Sequence, residues 1–257
     1  VLDDKPTAAL LRSRAASLKE NILQQLWQSD KGCFPKGLQC PEFCHMANCL
    51  ALAVGILSPE QAEQAIMHLL EWFPTHLVYG KIVSLFIRGC FRYGYDEIAY
   101  RTLTGKTGLS YEGDTPVHVN WLDGIMDENG PATTTECMLY PPAPDTEGKQ
   151  WMDRSHPDTA VAHLLSGYVL GVEPLTCGYR TFRVEPHCCG LTEAGGVVPT
   201  PYGAIQVEWI IEDGRFSIDI RHPEAVFPAL SMQYVGAPVE RITVNGCPVE
   251  TLDPVRV

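Results

Sequence analysis

The apolar residues of this chain change their spacing at Gly171, from steps of three and four to steps of two. A period near 3.6 lays apolar side chains along one face of a helix, and a period of two alternates them across a strand. Two periods in separate blocks predict an α+β chain with its helices first and its strands last, divided into 1–172 and 173–257.

In the helical block, Leu11, Ala15, Leu18, Ile22 and Leu26 recur at three- and four-residue steps between Pro6 and Gln28, which predicts a long helix with one apolar stripe. Ser58-Pro59-Glu60-Gln61 is a capping box with proline at the first helical position. Ala62, Ala65, Ile66, Leu69, Leu70 and Phe73 follow on one face. His45 to Leu57 is apolar on nearly every side, as an inner helix would be. Further helices are expected at 81–93, 95–104 and 157–170, the last with a stripe of Val161, Leu164, Leu165, Tyr168 and Val169. Short loops between successive helices suggest stacked antiparallel pairs.

Past Gly171, glycine and proline punctuate candidate strands at 179–185, 204–211, 215–221, 226–234 and 240–245. Ile205, Val207 and Trp209 alternate with Gln206 and Glu208, and Glu212-Asp213-Gly214 turns the chain into a second alternating run. That is a hairpin with one buried face. The block is expected to form a compact antiparallel β domain, a sandwich.

The balance of 19 basic against 31 acidic residues, a net charge of −12, lacks the basic stripe that nucleic-acid binding needs and suits a neutral or small polar substrate. No run reaches the ~18 apolar residues of a membrane span. Cys49 and Cys90 fall inside apolar helical runs and read as buried thiols. Cys33, Cys40, Cys44 and Cys49 lack paired C-x₂-C spacing, so neither a metal nor another cofactor is expected, and a reduced, cytoplasmic chain is favoured over a disulfide framework. A chain starting inside a larger protein would show no targeting signal at Val1.

The stretch from Trp121 to Glu136, WLDGIMDENGPATTTE, resembles a motif of bacterial α-L-rhamnosidases, family 78 of the glycoside hydrolases, with Trp121, Met126, Gly130, Thr133, Thr134 and Glu136 matching in order. Ser155-His156, then Gly167 to Leu175, Tyr179 to Pro186 and the VPTPYG turn from Val198 to Gly203, are similar to the family's passage from a helical toroid into a C-terminal β-sandwich. The resemblance implies half of an (α/α)6 toroid followed by that sandwich. It also implies Glu136 as the general base of an inverting hydrolysis, with His156 lining the sugar site. The sequence departs from the family at Thr135, at Cys137-Met138 and at Pro157-Asp158.

Inverting hydrolysis needs two carboxyl groups about 6.5–9.5 Å apart, one protonating the leaving oxygen and the other activating water. Glu136 supplies one. The family's acid lies in the first half of the toroid, and no motif of that kind occurs here; nothing marks Asp123, Asp127, Glu128 or Asp153 as the acid. Taken singly, Glu136 reads as a carboxylate favoured by a helix N-terminus. His156 alone reads as a capping or core residue, and Trp121 and Trp151 fill a core as readily as they stack on a sugar. Asp114 and His118 are candidate rim residues in the long 105–130 loop. The expectation is therefore a rhamnosidase part inactive by itself. Its inner helices would be left uncovered, to self-associate or to bind the upstream half of the same polypeptide. The competing readings are a catalytically silent carbohydrate-binding or scaffold fragment, and a toroid glycosidase of other sugar specificity.

Overall fold

The computed structural model describes residues 4–72, 80–103 and 160–249. Contacts divide the chain into two compact units, Val1–Asp158 and Thr159–Val257.

The first unit opens with α1 (Lys5–Leu26), the long helix its spacing predicts. The Asp4 carboxylate caps it, accepting the Thr7 N–H at 3.0 Å, and proline occupies the first turn. The stripe is present, with Leu11, Ala15 and Leu18 exposed and Ile22 and Leu26 half-buried, and no side chain of α1 is fully buried. A short hairpin follows, β1 (Pro35–Gly37) against β2 (Cys40–Phe43), too short for its period to show in the sequence.

The 45–57 segment becomes α2 (His45–Val54). Cys49, Ala51, Leu52 and Ala53 are buried, whereas Met46, Leu50 and Val54, spaced four apart, are exposed. An all-round apolar sequence reports that every face could be covered; tertiary packing decides which face is. α3 (Pro59–Trp72) begins as its capping box requires: the Ser58 N–H donates to Gln61 Oε1 at 3.0 Å and the Gln61 N–H to Ser58 Oγ at 3.2 Å. Its buried face is Ala62, Ala65, Ile66 and Leu69. α4 (Gly80–Arg92) crosses close over α2 at Gly89, where a Cβ would lie 2.4 Å from the Leu52 Cβ. α5 (Asp96–Leu103) closes the described part of this unit.

The second unit starts with a single helical turn, α6 (Ala160–Leu164), that widens into a π turn over Leu165–Val169, where the Leu170 N–H reaches the Leu165 carbonyl at 2.8 Å. Strands follow from Val172, one residue past the change in spacing. They are β3 (Val172–Pro174), β4 (Thr181–Val184), β5 (Glu193–Thr200), β6 (Gly203–Glu212), β7 (Arg215–Arg221), β8 (Phe227–Leu230), β9 (Val239–Val244) and β10 (Cys247–Pro248). They form a five-stranded sheet, β10-β9-β7-β6-β5, and a three-stranded sheet, β3-β4-β8.

The predicted hairpin is β6–β7, with Val207 opposite Ile220 and Trp209 opposite Ile218, all buried. Asp213 and Gly214 both take positive φ in its turn, as a tight hairpin demands. The expected purely antiparallel order is overturned at two places: β4 pairs with β8, and β7 with β9, in parallel. Between β7 and β9 the chain builds β8 into the other sheet, and a strand that returns through such a crossover arrives parallel. Alternation records which side chains are buried and carries no information on strand direction. Among the described residues no helix is long and apolar enough to cross a membrane.

Candidate functional site

Trp121, Glu136 and His156 lie outside the described residues, as do Asp114, His118, Asp123, Asp127, Glu128, Trp151 and Asp153. Two polar arrangements stand out in what is described, one in each unit.

In the second unit, antiparallel pairing sets Glu173 of β3 directly opposite Arg183 of β4. Alternation turns Phe182 and Val184 into the core and leaves Arg183 and Glu185 on the other face. The guanidinium reaches both carboxylates, with Nη2 2.7 Å from Glu173 Oε2 and Nη1 3.3 Å from Glu185 Oε2. The carboxylate side chains are only 15% and 14% exposed. One cation thus compensates two largely buried anions and ties β3 to β4. Gly167 of the π turn leaves the space for Glu173: a Cβ there would lie 3.5 Å from Glu173 Cγ and 3.3 Å from His163 Cε1. Burial, and secondarily the Glu173 charge, pushes the Tyr179 hydroxyl above its ordinary range. Close by in the chain, His187 is buried, stacked on Tyr234 with centroids 4.2 Å apart and edge-on to Tyr168 at 5.7 Å. A guanidinium on one strand that bonds a carboxylate on the adjacent strand ties those strands together, so this triad is built for structure. Sequence reasoning did not single it out. Its signal is a register, Glu173 opposite Arg183, that becomes visible only when the two strands are paired.

In the first unit, an open groove of about 450 Å³ runs between the loop after α1 and the outer face of α3, lined among others by Asp30, Lys31, Glu60, Glu63, Met67 and Glu71. The Glu60 carboxylate is held below the usual range by main-chain N–H and Ser58 hydrogen bonds, which again favours the ionised form. The groove is a surface of exposed carboxylates and one exposed lysine around one exposed methionine, without an apolar wall to raise a carboxyl group toward general-acid duty. Among the described residues no group of three or more His, Cys, Asp or Glu is placed to hold a metal ion.

Residues 171–232 match the bacterial alpha-L-rhamnosidase C-terminal domain. No curated protein matches the sequence. Among solved structures, the GH78 family rhamnosidase of Bacillus sp. GL1 superposes with a TM-score of 0.60 at 20% identity, covering 92% of this chain and 24% of its own. The alpha-L-rhamnosidase from Dictyoglumus thermophilum gives 0.58 at 15% identity, covering 88% and 24%. The Streptomyces avermitilis alpha-L-rhamnosidase, solved with L-rhamnose, gives 0.56 at 13% identity, covering 87% and 20%. The chain spans about a quarter or less of the length of these proteins. It therefore carries a bacterial alpha-L-rhamnosidase C-terminal domain at residues 171–232, within a mixed helical and β fold shared with those rhamnosidases over most of its length.

Proposed function

We propose that this chain is the C-terminal portion of a glycoside hydrolase that cleaves terminal α-L-rhamnosides with inversion. Glu136 is the general base that activates water, and His156 and Trp121 contact the sugar. The general acid comes from outside this sequence. In this reading the helices of the first unit are half of an (α/α)6 toroid, the two sheets of the second form its C-terminal β-sandwich, and the upstream half of the polypeptide completes the toroid. The observation that carries the reading is the rhamnosidase C-terminal domain at 171–232, directly following the segment that holds Glu136 and His156. The exposed Met46, Leu50 and Val54 of α2 support it, because an apolar helix of a completed toroid has both flanks covered.

The test has two arms. The 257-residue chain alone, assayed on an aryl α-L-rhamnoside, is expected to work near the background rate, because leaving-group protonation then falls to bulk water. Comparable kcat/KM for the chain and for a longer polypeptide containing it would place the acid within these residues and overturn the division of labour. In the active longer form, Glu136→Gln is expected to lower kcat by at least ~10²-fold, the lower range for loss of a general base. An unchanged rate would remove Glu136 from the mechanism and favour a silent carbohydrate-binding or scaffold role.

A further inference from the structure

We infer that α1 docks on the outer face of α3 of a second copy of this chain, so that two chains associate by exchanging these helices. The inference rests on the two surfaces and is independent of the catalytic reading.

The first surface is α1 itself. No side chain of this 22-residue helix is fully buried, only Ala8, Ile22, Leu23 and Leu26 are half-buried, and a helix draws most of its stability from packing an amphipathic face. Its stripe is nevertheless apolar: Leu11 is 58% exposed and Leu18 is 60% exposed, in line with Ala15 and Ile22. At 100° per residue, Lys5, Arg12 and Lys19 follow one edge of that stripe at seven-residue intervals, and Arg14 lies on the other edge. Four basic residues against the single acid Glu20 make α1 cationic in a chain whose net charge is −12. The overall balance conceals this local excess. Among the described residues none of the four has an ion-pair partner.

The second surface has the opposite character. Glu60, Glu63, Met67 and Glu71 of α3 are all exposed and recur at three- and four-residue steps, so that an apolar side chain sits between carboxylates on one helix face. The facing loop adds Asp30 and Lys31 across the groove, whose charges offset, so the acidic excess comes from the three glutamates of α3. Among the described residues Glu63, Glu71 and Asp30 have no ion-pair partner. A groove of about 450 Å³ between loop and helix is open to a ridge of side chains. Leucines flanked by cations on α1 thus meet a methionine flanked by anions on α3. Within one chain the two do not meet, because both faces are exposed.

The charges also select the partner. Two α1 helices packed on each other would set Lys5, Arg12 and Lys19 against the same residues and repel. An apolar stripe between the cations has no counterpart on a phosphate backbone. An acidic face with an apolar centre satisfies both features, and α3 is such a face. Reciprocal docking, α1 of each chain on α3 of the other, closes with two-fold symmetry and leaves neither surface free.

The experiment is sedimentation equilibrium of the full 257-residue chain over a wide concentration range, at low ionic strength and at ~1 M NaCl, where the Debye length falls to ~3 Å. A dimer weakened by salt is expected. Arg12→Glu with Lys19→Glu in one variant, and Glu63→Lys with Glu71→Lys in another, should each raise the dissociation constant at least ~10-fold. All four positions are exposed, so the folded helix content by circular dichroism should be unchanged. Mixing the two variants should restore association as a heterodimer, because each reversed helix then faces a surface of opposite sign. A chain monomeric throughout, reversed variants that associate like the parent, or a mixture that stays monomeric would each overturn the proposal. Binding of α1 to anionic lipid vesicles without self-association would also overturn it, assigning the helix to a membrane surface.

Discussion

The indole Nε1–H of Trp209 donates to the main-chain carbonyl of Val169 at 3.1 Å, with both residues buried. This bond links β6 to the end of the π turn, where the last helical carbonyls have no donor within the helix. Trp209→Phe keeps most of the apolar surface but orphans the carbonyl. A loss of ~1–3 kcal/mol is expected, read as a lower urea midpoint with unchanged slope. A midpoint equal to that of the parent would show that water replaces the indole.

Gly171 stands where the apolar period changes, with φ +86° and an added Cβ only 2.4 Å from the Glu185 carbonyl carbon and the Pro186 nitrogen. Both contacts are main chain and cannot rotate away. Gly171→Ala should destabilise the chain by at least ~2 kcal/mol, the sum of left-handed strain and overpacking. Gly214 is the control: it has φ +73° and open space around its Cβ position, so Gly214→Ala should cost only the ~1–2 kcal/mol of strain. Equal effects in thermal unfolding would mean that Glu185-Pro186 moves aside.

Asn48 is fully buried on α2 and serves three main-chain groups: its Oδ1 accepts the Phe34 N–H at 2.9 Å, and its Nδ2 donates to the carbonyls of Phe34 at 3.0 Å and Cys44 at 2.8 Å. The side chain fastens both sides of the β1–β2 hairpin to the helix. Asn48→Leu keeps the branched shape but leaves the buried Phe34 N–H without an acceptor, while the Phe34 carbonyl keeps the Cys44 N–H at 3.1 Å, so ~1–3 kcal/mol should be lost in denaturant unfolding. Asn48→Asp retains the acceptor for the Phe34 N–H but no donor, and should destabilise as well.

Burial pushes the thiols of Cys33, Cys49 and Cys90 up, so the nucleophilic thiolate is scarce at mildly alkaline pH. Cys40, Cys177 and Cys247 are exposed. Mass spectrometry after brief treatment of the native protein with an aromatic disulfide reagent should find modification at these three. Cys33, Cys49 and Cys90 should react only after unfolding. Early modification of Cys49 or Cys90 would show that the α2–α4 contact opens readily.

Local signals were legible in the sequence wherever a residue's task is satisfied by its near neighbours. The capping box at Ser58, the turn at Asp213-Gly214 and the change of period at Gly171 each involve partners a few residues away. The parallel pairings β4·β8 and β7·β9 were not legible, because alternation is the same in either direction. The Glu173–Arg183–Glu185 tie depends on a register that exists only once β3 and β4 pair. Trp121, Glu136 and His156 were proposed from the match of their flanks to a family, not from chemistry visible at those positions, and they lie outside the described residues.

By itself the sequence determined the order of helices and strands, because hydrophobic period is a property of consecutive residues and survives any arrangement in space. Which apolar face is covered was decided only by tertiary structure. The stripe on α1 and that on α3 read alike, yet Ala62, Ala65, Ile66 and Leu69 are buried while Leu11 and Leu18 face solvent. A stripe states that burial would be favourable. Burial itself requires a second surface, and no stretch of sequence contains its own partner.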